Sequence, residues 1–130
     1  MSSRGSVAIN HHYTNTEYKA IDTLKHGEEI IEGVGKNHSM PDYSFKPNAV
    51  YVIKKKDVFH AMRIYNEQHE PIIEIAYHPE PNLNNKNRID NIWHMHKYEP
   101  GLNRKQAEII TEDVKNKYRK YLEDIGYDQW

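Results

Sequence analysis

The chain has no cysteine among its 130 residues. Without cysteine, the protein forms neither a disulfide framework nor a zinc site built from thiolates. Any metal site must therefore use histidine, aspartate, glutamate, backbone carbonyl groups or solvent as ligands. Nine histidines are available for that purpose.

The chain also lacks an excess of charge of either sign. Eighteen Lys and Arg residues face 19 Asp and Glu residues, so the formal net charge is -1. A dedicated nucleic-acid-binding protein usually carries an excess of Lys and Arg, and an inhibitor that imitates DNA by charge needs an excess of acids. Contact with a charged partner is therefore expected to depend on a local patch.

Long apolar runs and a secretory signal are missing as well. Apolar residues make up 37% of the chain, and no run is long enough to span a bilayer. We expect a cytoplasmic protein. The length fits a single domain, residues 1–130, in which 1–13 form a flexible arm, since Gly5 and the neighbouring serines disfavour regular structure.

Two helices are predicted, one near each end of the chain. Apolar residues in 20–24 fall at helical spacing, and the segment 28–35 is expected to extend that helix. Near the C-terminus, Thr111 is the predicted cap of a second helix, and Gly126 lies just past its end.

Between the helices, short segments rich in β-branched and aromatic residues predict strands. The short turns between the first three favour an antiparallel meander. The predicted fold class is α+β, with a four-stranded, mainly antiparallel sheet packed by N- and C-terminal helices. The predicted strands are 49–55, 58–66, 71–78 and 91–98.

Three histidines share one face of this predicted sheet. Side chains alternate along a strand, so Glu74 and His78 share a face of the third strand, and His94 and His96 share a face of the fourth. If His78 lies opposite Ile92 or His94, Glu74 comes near His96. The opposite face carries a set of apolar residues that we expect to form the core: Ile73, Ile75, Trp93 and Met95.

This arrangement predicts a zinc site, because imidazole nitrogen and carboxylate oxygen are both zinc ligands. The proposed ligands are His78, His94, His96 and Glu74, while Glu80 and Asp90 are rivals for the fourth position. Two other interpretations stay open: metal-free catalytic histidines, and a polar surface without a site. His60, near a strand end, is expected to be solvated.

Two basic segments are candidate surfaces for a partner. The first is the asparagine-rich loop after the third strand, with Lys86 and Arg88 at its tip. The second is the C-terminal helix around Lys117 and Arg119. Each segment is equally compatible with an ordinary solvated surface.

The block 63–98 contains the motif Tyr77-His78-Pro79-Glu80-Pro81, then Arg88, then His94-Met95-His96-Lys97-Tyr98. With this motif, the block resembles a small domain found in phages and mobile elements of Gram-positive bacteria, which implies a place in the cytoplasm of the host cell. A short phage protein with a histidine metal site is in turn similar to the metalloprotein inhibitors among the type II-A anti-CRISPR proteins. That class shares no motif, so no residue role is carried over. The resemblance implies binding to the effector nuclease Cas9 and interference with its nucleic-acid loading.

Two functions follow from these observations. The sequence favours a binding module, in which a structural zinc ion holds the third and fourth strands of an inhibitor of Cas9. The alternative is a small metal- or histidine-dependent nuclease toxin, in which histidines act as general acid and base. The candidate catalytic residues of that alternative are His78, Arg88, His94, His96 and Tyr98.

Overall fold

A computed structural model describes residues 18–33, 40–55 and 58–127. The predicted arm at 1–13 lies outside the described residues. Within them, no helix is both long and apolar enough to cross a membrane. The described elements are seven strands and one helix: β1 (Tyr18–Thr23), β2 (Glu29–Gly33), β3 (Val50–Lys55), β4 (Val58–Tyr65), β5 (Pro71–His78), β6 (Ile92–Glu99), β7 (Asn103–Arg104) and α1 (Glu112–Asp124).

The seven strands form one mixed sheet in chain order, from β1 to β7. Strands β2 and β3 pair in parallel, and the other neighbouring pairs are antiparallel. A parallel pair needs a long connection to bring the chain back. The segment between β2 and β3 provides it.

The predicted four-stranded sheet with a helix at each end is wrong. The predicted N-terminal helix is not found in the described part of 20–35, because strands β1 and β2 occupy 18–23 and 29–33. Gly27 lies in the turn between them with a φ of 86°, a backbone conformation that glycine adopts without a Cβ penalty.

The physical reason is that both faces of the sheet are buried at β2. The side chains of Ile30 and Ile31 point to opposite faces, and they pack in two separate apolar clusters. A strand that is buried on both faces reads as a continuous apolar run, so its period of two is lost. The spacing of a few apolar residues then fits a helix by coincidence.

The central strands and the second helix are confirmed. The four predicted strands correspond to β3, β4, β5 and β6, with ends that differ by one residue at most. The backbone N–H of Val114 donates to the Thr111 Oγ1 at 3.4 Å, which caps α1. Gly126 follows the helix with a φ of 93°.

Helix α1 covers one face of the sheet, which we call the helix face. Directly opposed residues of neighbouring strands lie on the same face. One such row runs across β3 to β6 on the helix face, and α1 packs on the same cluster through Tyr118 and Leu122. The row consists of Val52, Met62, Ile75 and Met95, and each of its members is fully buried.

The other face, which we call the histidine face, carries the candidate site. Its central row runs from Ile53 through Ala61 and Ala76 to His94. Two residues of the segment before β3, Met40 and Ala49, are buried in this cluster. Both faces of the sheet are therefore covered, and polar groups on the histidine face need partners within the protein.

Candidate metal centre

The pairing of β5 with β6 sets the geometry of the candidate site. His78 lies opposite Ile92, and Glu74 lies opposite His96. This is one of the two registers expected from the sequence. His94 is fully buried and His96 is 8% exposed, so these two imidazoles belong to the interior of the histidine face.

Four imidazoles form a continuous row on this face. The ring of His60 stacks on that of His78 with centroids 4.7 Å apart. His78 meets His94 edge to face at 4.7 Å, and His94 meets His96 in the same way at 5.5 Å. The expectation that His60 is simply solvated is wrong, because it is half-buried and packs against the row.

Backbone carbonyl groups fix the tautomer of three of these histidines. A carbonyl oxygen only accepts, so an Nδ1 that hydrogen-bonds to one carries the proton. In the neutral ring, the Nε2 then keeps its lone pair for another partner. Metal-binding histidines commonly have this arrangement, in which the second nitrogen donates to a carbonyl or carboxylate. The Nδ1 contacts are His78 to Pro79 O at 3.1 Å, His94 to Ile92 O at 2.8 Å and His96 to Lys105 O at 2.9 Å.

The Nε2 of His94 is buried and has no hydrogen-bond partner among the described residues. An unsatisfied polar group in the interior typically costs about 1–3 kcal/mol. Burial lowers the pKa of His94, and the neighbouring His78 and His96 lower it further. The ring is therefore held neutral, with a lone pair that a metal ion would satisfy.

Glu80, in the loop after β5, completes a three-residue cluster. Ligand atoms of Glu80, His94 and His96 all lie within 4.8 Å of one another. Atoms bound to one tetrahedral zinc ion at 2.0–2.2 Å are roughly 3.4 Å apart. Small side-chain adjustments would bring the cluster to that geometry. His78 is beside His94 but is not a member of this cluster of described residues.

Glu74, a predicted ligand, is engaged elsewhere. Its Oε1 accepts from the Nε of Arg63 at 2.9 Å and from a second nitrogen of the same guanidinium. The Nη2 of Arg104 lies 3.6 Å from its Oε2. Burial raises the pKa of Glu74, but the Arg63 charge outweighs burial and the net pKa is lowered. The structure thus brings Glu80 to the histidines, while Glu74 forms a buried ion pair.

The remaining rival ligand, Asp90, belongs to the surface loop. Its Oδ2 accepts from the Nδ2 of Asn87 at 2.9 Å, and the residue is exposed. This hydrogen bond stabilises the turn before β6. Asp90 is not part of the three-residue cluster of described ligand atoms.

A polar cavity of about 590 Å³ adjoins the cluster. Glu80 and His96 line it from the metal side, and Arg104 and Gln106 line it from the segment after β6. The guanidinium of Arg104 brings positive charge to this cavity. The cluster therefore borders a polar space whose lining carries charges of both signs.

The other predicted site residues lie in different surroundings. The guanidinium of Arg63 lies 5.3 Å from the ring centroid of Tyr98, and burial raises the pKa of Tyr98. Lys86 and Arg88 are exposed in the loop before β6. On α1, Lys117 lies over the ring of Tyr118, and Arg119 donates to the side chain of Asn116.

Comparison with models of known protein families, with curated proteins and with solved structures finds no match to this chain. The resemblance to phage proteins and to type II-A anti-CRISPR proteins is therefore untested and stays a prediction. The case for a function depends on the geometry of the cluster and its cavity.

Proposed function

We propose that the protein is a metal-dependent nuclease that binds a zinc ion through Glu80, His94 and His96. The observation that carries the proposal is that the three ligand atoms lie together and that two of the ligand residues, Glu80 and His96, also line a polar cavity. Structural zinc sites are usually closed by four protein ligands, whereas catalytic sites keep one position open beside three. Two histidines and one glutamate are a known catalytic set.

The chain's own groups fit such an ion. The two imidazoles are fixed by backbone carbonyl groups and present Nε2 lone pairs, and His94 Nε2 has no other described partner. Glu80 supplies a negative charge, which compensates part of the charge of a divalent ion. A zinc ion in an open site supplies Lewis acidity to the substrate.

Arg104 suits the cavity to an anionic substrate. Its guanidinium lines the same space as Glu80 and His96, and guanidinium groups bind phosphate oxygens through paired hydrogen bonds. The net charge of the chain is near zero, so a local cation of this kind is what nucleic-acid binding requires. We infer that Arg104 holds the phosphate beside the metal ligands.

A cleavage assay tests this proposal. The purified protein is incubated with end-labelled single-stranded RNA and DNA, first with a chelator and then with added zinc. We expect cleavage that the chelator abolishes, that zinc restores, and that is lost in Glu80→Gln and His96→Ala. Matched controls are Glu99→Gln, an exposed carboxylate on the same strand as the histidines, and His69→Asn.

His69 suits the role of control because it lies outside the cluster and has a φ of 68°, which asparagine tolerates. Zinc-loaded protein that cleaves neither RNA nor DNA would contradict the proposal. Cleavage that survives both the chelator and Glu80→Gln would contradict it too, and would indicate histidine catalysis without a metal.

A second candidate function is the Cas9 inhibitor. The observation that favours it is the side chain of Ile89, which is 85% exposed on the loop before β6. The Oδ1 of Asn87 accepts from the backbone N–H groups of Ile89 and Asp90 at 2.8 and 2.9 Å. An ordered loop that presents an apolar side chain next to Arg88 is suited to anchor a protein partner.

In this second candidate, the zinc ion would order the loop, and the partner surface would combine Lys86 and Arg88 with Lys117 and Arg119 of α1. The test is a pull-down of Cas9 with and without guide RNA. Ile89→Asp should abolish binding, while Ile109→Asp, which changes another exposed isoleucine (58% exposed), should leave it intact. An absence of Cas9 binding by the metal-loaded protein would eliminate this candidate.

A further inference from the structure

A second cluster of potential ligands lies where the turn between β1 and β2 meets the end of α1. The Nδ1 of His26 is 2.7 Å from the Oδ2 of Asp124, the last residue of the helix. The backbone N–H of His26 donates to the Oε1 of Glu28 at 3.0 Å. Ligand atoms of His26, Glu28 and Asp124 all lie within 4.8 Å of one another.

Glu28 is the unusual member of this cluster. The residue is fully buried, and its Oε2 has no hydrogen-bond partner among the described residues. A buried carboxylate oxygen normally has a donor or an ion beside it. Asp124 is nearly as buried, with a side chain that is 10% exposed, whereas the side chain of His26 is 33% exposed. Solvent and ions therefore reach the cluster from the side of His26.

The electrostatics of this region favour a cation. The C-terminal end of a helix carries a partial negative charge, and α1 has no basic residue in its last turn to compensate for it. Two carboxylates that share a buried site repel each other when both are charged, and a bound proton or cation relieves that repulsion. Burial, and after it Asp124, raises the pKa of Glu28. Glu28 therefore binds a proton more readily than an ordinary carboxylate does.

We propose that His26, Glu28 and Asp124 form a second divalent-cation site, separate from the nuclease centre, that takes a hard ion of the Mn²⁺ type. Two carboxylates favour such an ion over softer metals, and one imidazole is compatible with it. The cation takes the place of the proton between the carboxylates and satisfies the Oε2 of Glu28.

The role of this site is structural. His26 and Asp124 are 98 positions apart in the chain, so a shared ion fastens the first hairpin to the last helix. An ion that binds only the folded protein stabilises it by mass action. The site contains none of the residues at the nuclease centre, so the two proposals stand independently.

The experiment uses the full chain and Mn²⁺ alone, because this ion is paramagnetic and broadens the NMR signals of nearby amides. The protein carries Glu80→Gln and His96→Ala, which remove the first centre. We expect the strongest broadening at the amides of residues 24–28 and 122–126, and a melting temperature that rises to saturation with Mn²⁺. If the double variant does not fold, the wild-type chain serves, since the two centres involve different amides.

Glu28→Gln and Asp124→Asn should each abolish the broadening and the thermal shift. The matched control, Glu123→Gln, changes an exposed carboxylate next to Asp124 and should retain both. The proposal is overturned if Mn²⁺ causes neither local broadening nor a thermal shift at millimolar concentration. That result, together with a Glu28→Gln variant at least as stable as the wild type, would show that the carboxylates share only a proton.

Discussion

Glu74 lies directly opposite His96 in the β5–β6 pair, yet its carboxylate is bound by Arg63 of β4. Arg63 also donates to the backbone carbonyl of Pro41 at 3.1 Å. Through this contact, the ion pair of Arg63 and Glu74 holds Pro41, which belongs to the segment before β3 that packs on the histidine face. The pair therefore links β4, β5 and that segment beside the candidate metal centre.

We predict that Glu74→Gln destabilises the protein strongly. The substitution leaves the largely buried guanidinium of Arg63 without its counter-charge, and breaking a buried ion pair in this way typically costs about 3–5 kcal/mol. The free energy of unfolding in urea measures the effect. The control is Glu99→Gln, an exposed carboxylate whose loss should change stability by roughly 0.5 kcal/mol or less. Equal stability of the two variants would contradict the prediction.

The same ion pair predicts a dependence of stability on pH. The pKa of Glu74 in the folded protein is below its ordinary value of 4.5, so the unfolded chain binds more protons in this range. The stabilisation that Glu74 contributes is therefore complete when the pH is above 4.5. It is lost as the pH falls through the lower pKa that Glu74 has in the folded protein. Acid titration of the unfolding free energy should show a smaller decrease in Glu74→Gln than in the wild type. An identical decrease in both would show that another group is responsible.

Metal content is the subject of the third prediction. The purified protein should carry about one zinc ion per chain, because a site with two imidazoles and one carboxylate suits zinc. Chelation should lower the melting temperature, since the ion binds the folded state alone. Glu80→Gln and His96→Ala should lose most of the zinc, as measured by elemental analysis.

His69→Asn serves as the control for the loss of an imidazole outside the centre, and it should retain its zinc. His94 is fully buried, so any variant of it needs a check of its fold by circular dichroism. Zinc content well below one ion per chain in protein purified without chelator, with no gain on adding zinc, would refute the metal centre.

The central part of the fold could be predicted because its interactions are local. Few residues separate β3, β4 and β5 in the chain, and these neighbouring strands are also neighbours in the sheet. The N-terminal strands could not be predicted in the same way. Strand β2 is buried on both faces and pairs in parallel with β3, and neither property leaves an alternating pattern in five residues.

The candidate centre was predictable in part, because alternation along β6 places His94 and His96 on one face. Alternation does not say which neighbour a carboxylate binds, so Glu74 and Glu80 could not be distinguished from the spacing. A signal existed in Arg63, which the β4–β5 hairpin places opposite Glu74. His60 was missed because the register of β3 and β4 shifts at that point, and a bulge changes the face of the extra residue.

A fourth prediction concerns α1, the helix that covers the helix face of the sheet. Leu122 of α1 is fully buried in the main apolar cluster. Leu122→Ala should therefore cost about 2–5 kcal/mol of unfolding free energy, from lost burial and the cavity that remains. Lys120→Ala, at an exposed position of the same helix, is the matched control. If both variants unfold at the same urea concentration, α1 does not form part of the core in solution.

The last prediction separates binding of the metal from use of the metal. Arg104 lines the cavity beside Glu80 and His96, and its side chain is 48% exposed. Arg104→Gln removes the cation that we assign to the substrate phosphate but leaves all three metal ligands in place. A hydrogen bond to a charged group is worth about 1.5–3 kcal/mol, which corresponds to roughly a 10- to 150-fold decrease in kcat/KM.

Zinc content of this variant should stay at the wild-type level, because the guanidinium is not a ligand. Lys97→Gln, which removes an exposed cation from β6, controls for the general effect of charge on a nucleic-acid substrate. Equal loss of activity in Arg104→Gln and Lys97→Gln would mean that activity depends on the general positive charge of the protein surface and not on a specific contact of Arg104. A selective loss in Arg104→Gln, with zinc retained, would place the phosphate in the cavity next to the metal ligands. An active site needs that arrangement, whereas a purely structural zinc site does not.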